Sequence, residues 1–325
     1  MTYQMTHRGR GLIAQGAGAA IAALQARAAA WEAPLKQIDD RLIMYVWGSE
    51  LRLTPQGHSL LVELLAPESR LVGTLRDCAT ELFAEVGLRV DWSDVEIGAL
   101  APGLSLMRVT SVTCPSPSFI RVRLTGPEAA RFASGGLHFR LILPPFGREP
   151  VWPRVAASGR TVWPEGGDAL HRPVYTVLDQ QDDWVDFDIF RHTGSPTCAW
   201  AEGNPTGTIV GMMGPGGGTC PDAERLYLYG DETALPAIQR MLRLARGEVC
   251  AHVRIAPAEL ASLTAGDPRV RSTGDLLDQL RAQTDLDAGS FTWFAAGSES
   301  AQSARSLLRE AGIDRKRFSV ASYWG

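Results

Sequence analysis

The chain has 325 residues, 45% of them hydrophobic, enough for two or three domains with real cores. A formal net charge of −4 excludes the strongly basic surface of a typical nucleic-acid binder. Cys78, Cys114, Cys198, Cys220 and Cys250 lie far apart with no Cys-x-x-Cys pair, which argues against a disulfide framework, an iron–sulfur cluster and a zinc site, so no metal is expected.

Residues 1–33 read as an N-terminal helical segment. Arg8 and Arg10 precede an alanine-rich run to Ala30, which Gln15, Gln25 and Arg27 interrupt. The run is too weakly apolar for a membrane span of about 20 residues and unlike a secretory signal. Gly16–Trp31 reads as an amphipathic or simply alanine-favoured helix, and the protein is expected to be cytoplasmic. Residues 34–102 then predict a small two-layer α/β domain. Strands are expected at Arg41–Trp47, Ser49–Thr54 and Ser59–Leu65, split by Gly48-Ser49 and Pro55-Gln56-Gly57. Leu71, Leu75, Cys78, Leu82 and Phe83 recur at helical spacing within Pro67–Glu85. The unit reads as an accessory domain for docking or for covering a substrate, and Leu100-Ala101-Pro102-Gly103 marks its linker.

Residues 103–221 predict a closed antiparallel barrel, because short alternating strands (Leu106–Thr113, Phe119–Thr125, Gly135–Pro144) are separated by Gly and Pro turns. The stretch Pro145–His171, with Trp152, Trp163, Arg148, Arg154 and Arg160, reads as a loop that either is simply solvated or borders an anionic substrate. Residues 222–325 predict a parallel α/β sheet. Strands at Arg225–Tyr229, Glu248–Ile255, Phe291–Ala296 and Arg317–Ser322 alternate with helices at Leu235–Arg246, Thr273–Gln283 and Glu299–Ala311. Ligands of such sheets lie at the carboxyl ends of the strands, here Gly230-Asp231-Glu232-Thr233 and Gly297-Ser298-Glu299. Asp231 and Glu232 would repel a phosphate, so they are expected to cap the helix that follows. Arg240, Arg243 and Arg246 read as a basic face, and Arg240 and Lys316, like Arg154, are retained as candidate substrate contacts.

The centre of the chain carries the motifs. Tyr175-Thr176 lies in a strand-like run after Arg172, and Val185, Phe187 and Ile189 alternate as the next strand. His192-Thr193-Gly194-Ser195-Pro196 leads into Trp200-Ala201, and Gly214-Pro215-Gly216-Gly217 forms a turn. An isoalloxazine needs an aromatic surface and hydrogen-bond donors at its polar edge, while a pyrophosphate needs exposed backbone N–H groups and an arginine. These residue types occur in that order. With Gly230-Asp231-Glu232-Thr233-Ala234-Leu235-Pro236-Ala237 and the terminal Tyr323-Trp324, the chain from about Leu104 to Gly325 resembles the siderophore-interacting proteins, FAD-dependent relatives of ferredoxin reductases.

The resemblance implies a ferric-siderophore reductase with FAD and NADPH or NADH as cofactors, or a protein electron donor in place of the nucleotide. It implies flavin contacts from Arg172, Tyr175, Thr176, His192, Gly194, Pro196, Trp200, Ala201, Gly214, Gly216 and Gly217. Thr176 would lie at the N5 edge and Tyr323-Trp324 over the ring face, with the nucleotide at Gly230–Thr233. Pro173, Leu178 and Gly216 stand where the family carries arginines. The N-terminal unit, through its helix and closing Val90-Asp91-Trp92, resembles a small uncharacterised domain found beside such proteins. An NAD(P)H:flavin or quinone reductase, and a non-catalytic siderophore-binding adaptor, are the competing readings.

Overall fold

The computed structural model describes residues 4–283 and 286–325, and the chain divides into two compact units. The first comprises residues 1–104 and 147–170, the second 105–146 and 171–325.

The first unit is built on an antiparallel sheet of six strands: β1 (His7–Ile13), β2 (Leu35–Ile38), β3 (Arg41–Val46), β4 (Ser49–Gln56), β5 (Ser59–Ala66) and β6 (Asp91–Trp92), in the order β2-β3-β4-β5-β1-β6. Helices α1 (Ala17–Ala30) and α2 (Ser69–Glu85) bury Leu24, Leu75 and Phe83 with Leu53, Leu60 and Val62 in one core. The segment before the first helix is therefore a strand inside the sheet. Gly9 and Gly11 explain it: a Cβ at Gly9 would stand 2.9 Å from Val72 of α2, and one at Gly11 2.6 Å from Val90. Glycine lets the strand pass under those side chains.

The second unit opens with β7 (Leu104–Ser116), β8 (Phe119–Thr125) and β9 (His138–Ile142). The chain then enters the 147–170 segment, whose hairpin β10 (Arg154–Val155) and β11 (Thr161–Val162) is folded into the first unit. There the Asp77 carboxylate accepts hydrogen bonds from Thr161 N (2.8 Å) and Thr161 Oγ1 (2.5 Å), and Ala101 N donates to Pro153 O (2.8 Å). What the sequence presents as a loop thus has fixed partners.

Back in the second unit come β12 (Val174–Thr176), β13 (Asp179–Gln180), β14 (Trp184–Phe190), α3 (Pro196–Glu202) and β15 (Ile209–Gly216). The antiparallel order is β12-β9-β15-β7-β8-β14-β13. Residues 174–180 begin on the β9 edge and finish on the β14 edge, with Val177 N donating to Leu137 O (3.0 Å) and Leu178 N to Asp186 O (2.8 Å). One short stretch thereby closes the sheet into a barrel around Val122, Leu124, Phe139, Leu141, Phe187 and Met212.

The remaining elements are β16 (Arg225–Asp231), α4 (Leu235–Leu244), β17 (Glu248–Arg254), α5 (Pro257–Thr264), β18 (Val270–Ser272), α6 (Leu276–Ala282), β19 (Ser290–Gly297), α7 (Ser298–Glu310) and β20 (Phe318–Trp324). Every strand pair is parallel, in the order β18-β17-β16-β19-β20. Leu235, Ile238 and Met241 of α4 pack on one face, Leu276 and Leu280 of α6 and Leu308 of α7 on the other. The order reverses between β16 and β19, so the ends of these two strands flank the crevice where such sheets hold ligands. Among the described residues, no helix is long and apolar enough to cross a membrane.

Candidate functional site

On the outer face of the barrel, β9 and β12 pair so that His138 stands opposite Thr176 and Arg140 opposite Val174. Phe139 and Leu141 point into the barrel core, and the alternation turns His138 and Arg140 outward. His138 Nδ1 lies 3.0 Å from Thr176 Oγ1, and His138 Nε2 lies 3.2 Å from the Tyr323 hydroxyl at the end of β20. The two rings meet edge to face with centroids 5.8 Å apart. Burial, reinforced by the positive Arg240 nearby, lowers the His138 pKa to about 4. The imidazole is neutral at pH 7, with one N–H to donate and one lone pair to accept. Burial, with the charge of Asp231 behind it, raises the pKa of the Tyr323 phenol.

Tyr175 packs against Phe187 with centroids 5.2 Å apart. Its phenol pKa is pushed up to about 12, chiefly by burial, although the Thr197 side chain hydrogen-bonds to it. Thr197 Oγ1 also meets His171 Nε2 at 3.1 Å, so α3 is tied to the strand that carries Tyr175. The helix starts cleanly: Ser195 accepts from Cys198 N (3.2 Å) and Pro196 occupies the first turn, where a missing N–H costs nothing. Ser195 is thus the cap. His192, Thr193 and Gly194 are exposed before it, while Trp200 and Ala201 pack on the barrel core.

The turn after β15 closes the other side. Gly216 pairs with His138, and a Cβ on Gly136 would stand 2.5 Å from the Gly216 carbonyl oxygen, so only glycine allows these strands to approach. Gly217 and Gly218 have positive φ (57° and 66°), and a Cβ at Gly217 would come within 3.3 Å of the His138 ring. A Cβ at Gly216 meets nothing within 4 Å.

The helix that follows the loop 192–196 thus meets the strand 172–176 through Thr197, and His138 joins that strand to the turn 214–218; this neighbourhood is the candidate site. It offers the open, glycine-lined approach and exposed cations that a flavin nucleotide needs, with Arg172 and Arg140 both exposed and Arg140 Nη1 donating to the Arg172 carbonyl (2.8 Å). The residues fit FAD. Of the positions where the family carries arginine, Leu178 is buried and Gly216 is open.

At the ends of β16 and β19, Asp231 is wholly buried and fully used. Its Oδ1 accepts from Thr233 N (3.1 Å) and Thr233 Oγ1 (2.5 Å), its Oδ2 from Gly297 N (3.2 Å) and Trp324 Nε1 (2.8 Å). Arg254 Nη2 stands 3.7 Å from Asp231 and 4.0 Å from Glu232. Asp231 is the joint that holds the switch-point loops and the last strand together, with its charge turned inward. Gly230 is buried as well: a Cβ there would lie 2.5 Å from Ala234.

The three expected substrate contacts have other surroundings in the structure. Arg240 is buried and donates to Val177 O (2.8 Å), Phe132 O (2.8 Å), Ala133 O (3.4 Å) and Gly136 O (3.3 Å); it is a strut between α4 and the barrel. Burial and the nearby Arg243 lower its pKa to about 10. Lys316 precedes β20, whereas Tyr323 lies next to its last residue; seven residues of strand span about 23 Å, so Lys316 lies at the amino edge of the sheet, opposite the crevice. Arg154 belongs to the first unit, where Nη1 donates to Gly98 O (2.5 Å). His138 and Arg140 are what sequence reasoning missed. Their signal was the polar phase of a strand otherwise read only for its apolar one.

Comparison with known proteins identifies the family. The profile of the siderophore-interacting FAD-binding domain matches residues 108–219, and that of the siderophore-interacting protein matches residues 223–325. The ferric vibriobactin reductase ViuB of Vibrio cholerae is 31% identical over 140 residues, covering 39% of this chain and 49% of that protein. The chain thus spans about half the length of the curated relatives it matches. A siderophore utilization protein from T. fusca superposes with a TM-score of 0.57 at 27% identity, over 71% of this chain and 95% of that one. The siderophore-interacting protein SipS from Aeromonas hydrophila superposes at 0.53 and 24% identity, over 68% and 91%. Residues 108–219 are a siderophore-interacting FAD-binding domain built on an antiparallel barrel, and the chain belongs to the siderophore-interacting protein family.

Proposed function

We infer that the protein is a ferric-siderophore reductase: it oxidises NADPH or NADH and releases the iron of a ferric siderophore as Fe(II). FAD, when bound, supplies the redox chemistry by taking a hydride and returning electrons one at a time. Two ferric ions become ferrous for each nicotinamide oxidised, with one proton released. The observation that carries the reading is the joining, through His138, of the flavin strand at Thr176 to the terminal aromatic pair at Tyr323.

The chain's own residues bind and orient. Tyr175 supplies an aromatic surface stiffened by Phe187, and the buried Thr176 holds its hydroxyl against His138 at the flavin edge. The turn 214–218 and the loop 192–196 offer backbone to the nucleotide, with Arg172 and Arg140 as cations for its phosphates. The crevice between the ends of β16 and β19, beside Trp324, takes the nicotinamide nucleotide. Hydride and electron transfer themselves require no side chain as acid, base or nucleophile. A ferrous ion binds oxygen-donor chelators less tightly than a ferric one, so reduction itself frees the metal.

The test is spectroscopic. The purified protein, or the apoprotein given FAD, is expected to show oxidised-flavin bands that bleach with NADPH or NADH without oxygen. A ferric chelate should then restore them, with Fe(II) trapped by a colorimetric chelator. A colourless protein that takes up no FAD on titration would refute the reading. Flavin turnover without Fe(II) would leave a general flavin or quinone reductase.

A further inference from the structure

His138 is a polar side chain set into a packed interface with a partner on each nitrogen, and the proposed chemistry above makes no use of it. Its neighbours are fixed by three separate elements. Thr176 comes from β12, Tyr323 from β20, and Arg240 of α4 adds the positive charge that, together with burial, keeps the ring uncharged. A neutral imidazole must donate from one nitrogen and accept at the other, so only two arrangements satisfy all three groups. In the first, the Tyr323 hydroxyl donates to Nε2, Nδ1–H donates to Thr176 Oγ1, and the Thr176 proton is left to point outward. In the second, the Thr176 hydroxyl donates to Nδ1, Nε2–H donates to the Tyr323 oxygen, and Thr176 Oγ1 is left to accept from outside.

The geometry points to His138 as a two-state positioning residue whose tautomer decides whether Thr176 offers or accepts a hydrogen bond at the flavin edge. This rests on the flavin reading above. N5 of the oxidised ring is an acceptor and matches the first arrangement; N5–H of the reduced ring is a donor and matches the second. The two arrangements differ by one proton passed along the chain. A proton taken up at Thr176 moves one from Thr176 to Nδ1, one from Nε2 to Tyr323, and one from Tyr323 to water, and every residue is neutral before and after. Oxidation of the reduced cofactor by two ferric ions releases one proton of this kind. His138 thus gives that proton a path away from the flavin edge through Tyr323.

The relay makes a prediction that packing alone does not. Phenylalanine keeps the shape of the ring and loses both hydrogen bonds; asparagine loses volume and keeps a donor or acceptor at the Nδ1 position. His138→Asn is expected to bind oxidised FAD within about twofold of the parent, and His138→Phe roughly five- to tenfold more weakly, the worth of one or two neutral hydrogen bonds. The reverse order would mean that the side chain only fills space and would overturn the proposal. Thermal melts of both variants check that each is folded.

The direct readout is ¹⁵N NMR of histidine-labelled protein loaded with FAD, the His138 signals being assigned as those absent from His138→Phe. The Nδ1–H form is expected in the oxidised protein and the Nε2–H form after anaerobic dithionite reduction. One tautomer in both states sinks the relay while leaving the flavin reading intact. Failure of the parent to take up FAD, seen first in the titration, sinks both.

Discussion

Protonation of His138 is linked to folding through a pKa of about 4 in the native protein against 6.5 in the open chain. A depressed histidine gives its stability in full above the open-chain value, because the native state then lacks no proton that the unfolded state binds. Below pH 6.5 the unfolded chain takes up a proton that the native site refuses. Stability therefore falls through the window from 6.5 to about 4 and then levels. The difference is on the order of 3 kcal/mol. Urea denaturation at pH 7 and pH 4.5 should show a markedly smaller acid loss in His138→Phe than in the parent. Gly216 gives a second prediction at this scale. Its Cβ position is open, so Gly216→Arg should leave the thermal midpoint within about 2 °C, as exposed substitutions do. The new guanidinium should tighten FAD binding roughly three- to tenfold through a charge-assisted contact to phosphate, as measured by fluorescence titration. Unchanged affinity would mean that the turn does not face the pyrophosphate.

Elements of the second unit are tied at a few buried polar points. Asp231 ends β16, starts the turn at Thr233, and reaches Gly297 before α7 and Trp324 on β20. Removing it strands four donors, so Asp231→Ala is expected to cost about 3 kcal/mol in urea denaturation, the usual range for breaking a buried charged network. Asp231→Asn keeps one acceptor and should cost less. Element identity here was legible in the sequence where a pattern is local. Val185, Phe187 and Ile189 announce a period of two, and Gly230–Ala237 announces a strand, a turn and a helix. What was not legible depends on partners distant in the chain. β1 hides because Gly9 and Gly11 put no side chain on its buried face. Arg240 sits in a stripe that reads as solvated, and only the carbonyls of Phe132, Ala133, Gly136 and Val177 explain its burial. His138 has partners 38 and 185 residues away, which no window along the sequence connects.

The whole molecule is two compact bodies, and the first is assembled from two stretches of chain. Its second stretch is held by the carboxylate of Asp77 on α2, which accepts both the backbone and the hydroxyl of Thr161. Burial raises the pKa of that carboxyl even though Thr161 bonds to it. Asp77→Ala should loosen the hairpin at 154–162, and cleavage by trypsin after Arg160 should accelerate roughly tenfold in limited digestion, as expected when two hydrogen bonds to one acceptor are lost. An unchanged rate would show that the remaining backbone bonds suffice.

Because the backbone passes between the two bodies after residues 104, 146 and 170, no single cut separates them. A hybrid spliced at the first crossing would receive a body missing its hairpin and donate a barrel still trailing one. Exchange of the first unit with its counterpart in another protein therefore requires transplanting both pieces together. Shuffling experiments that respect only the apparent linker at Leu100–Gly103 should yield insoluble products.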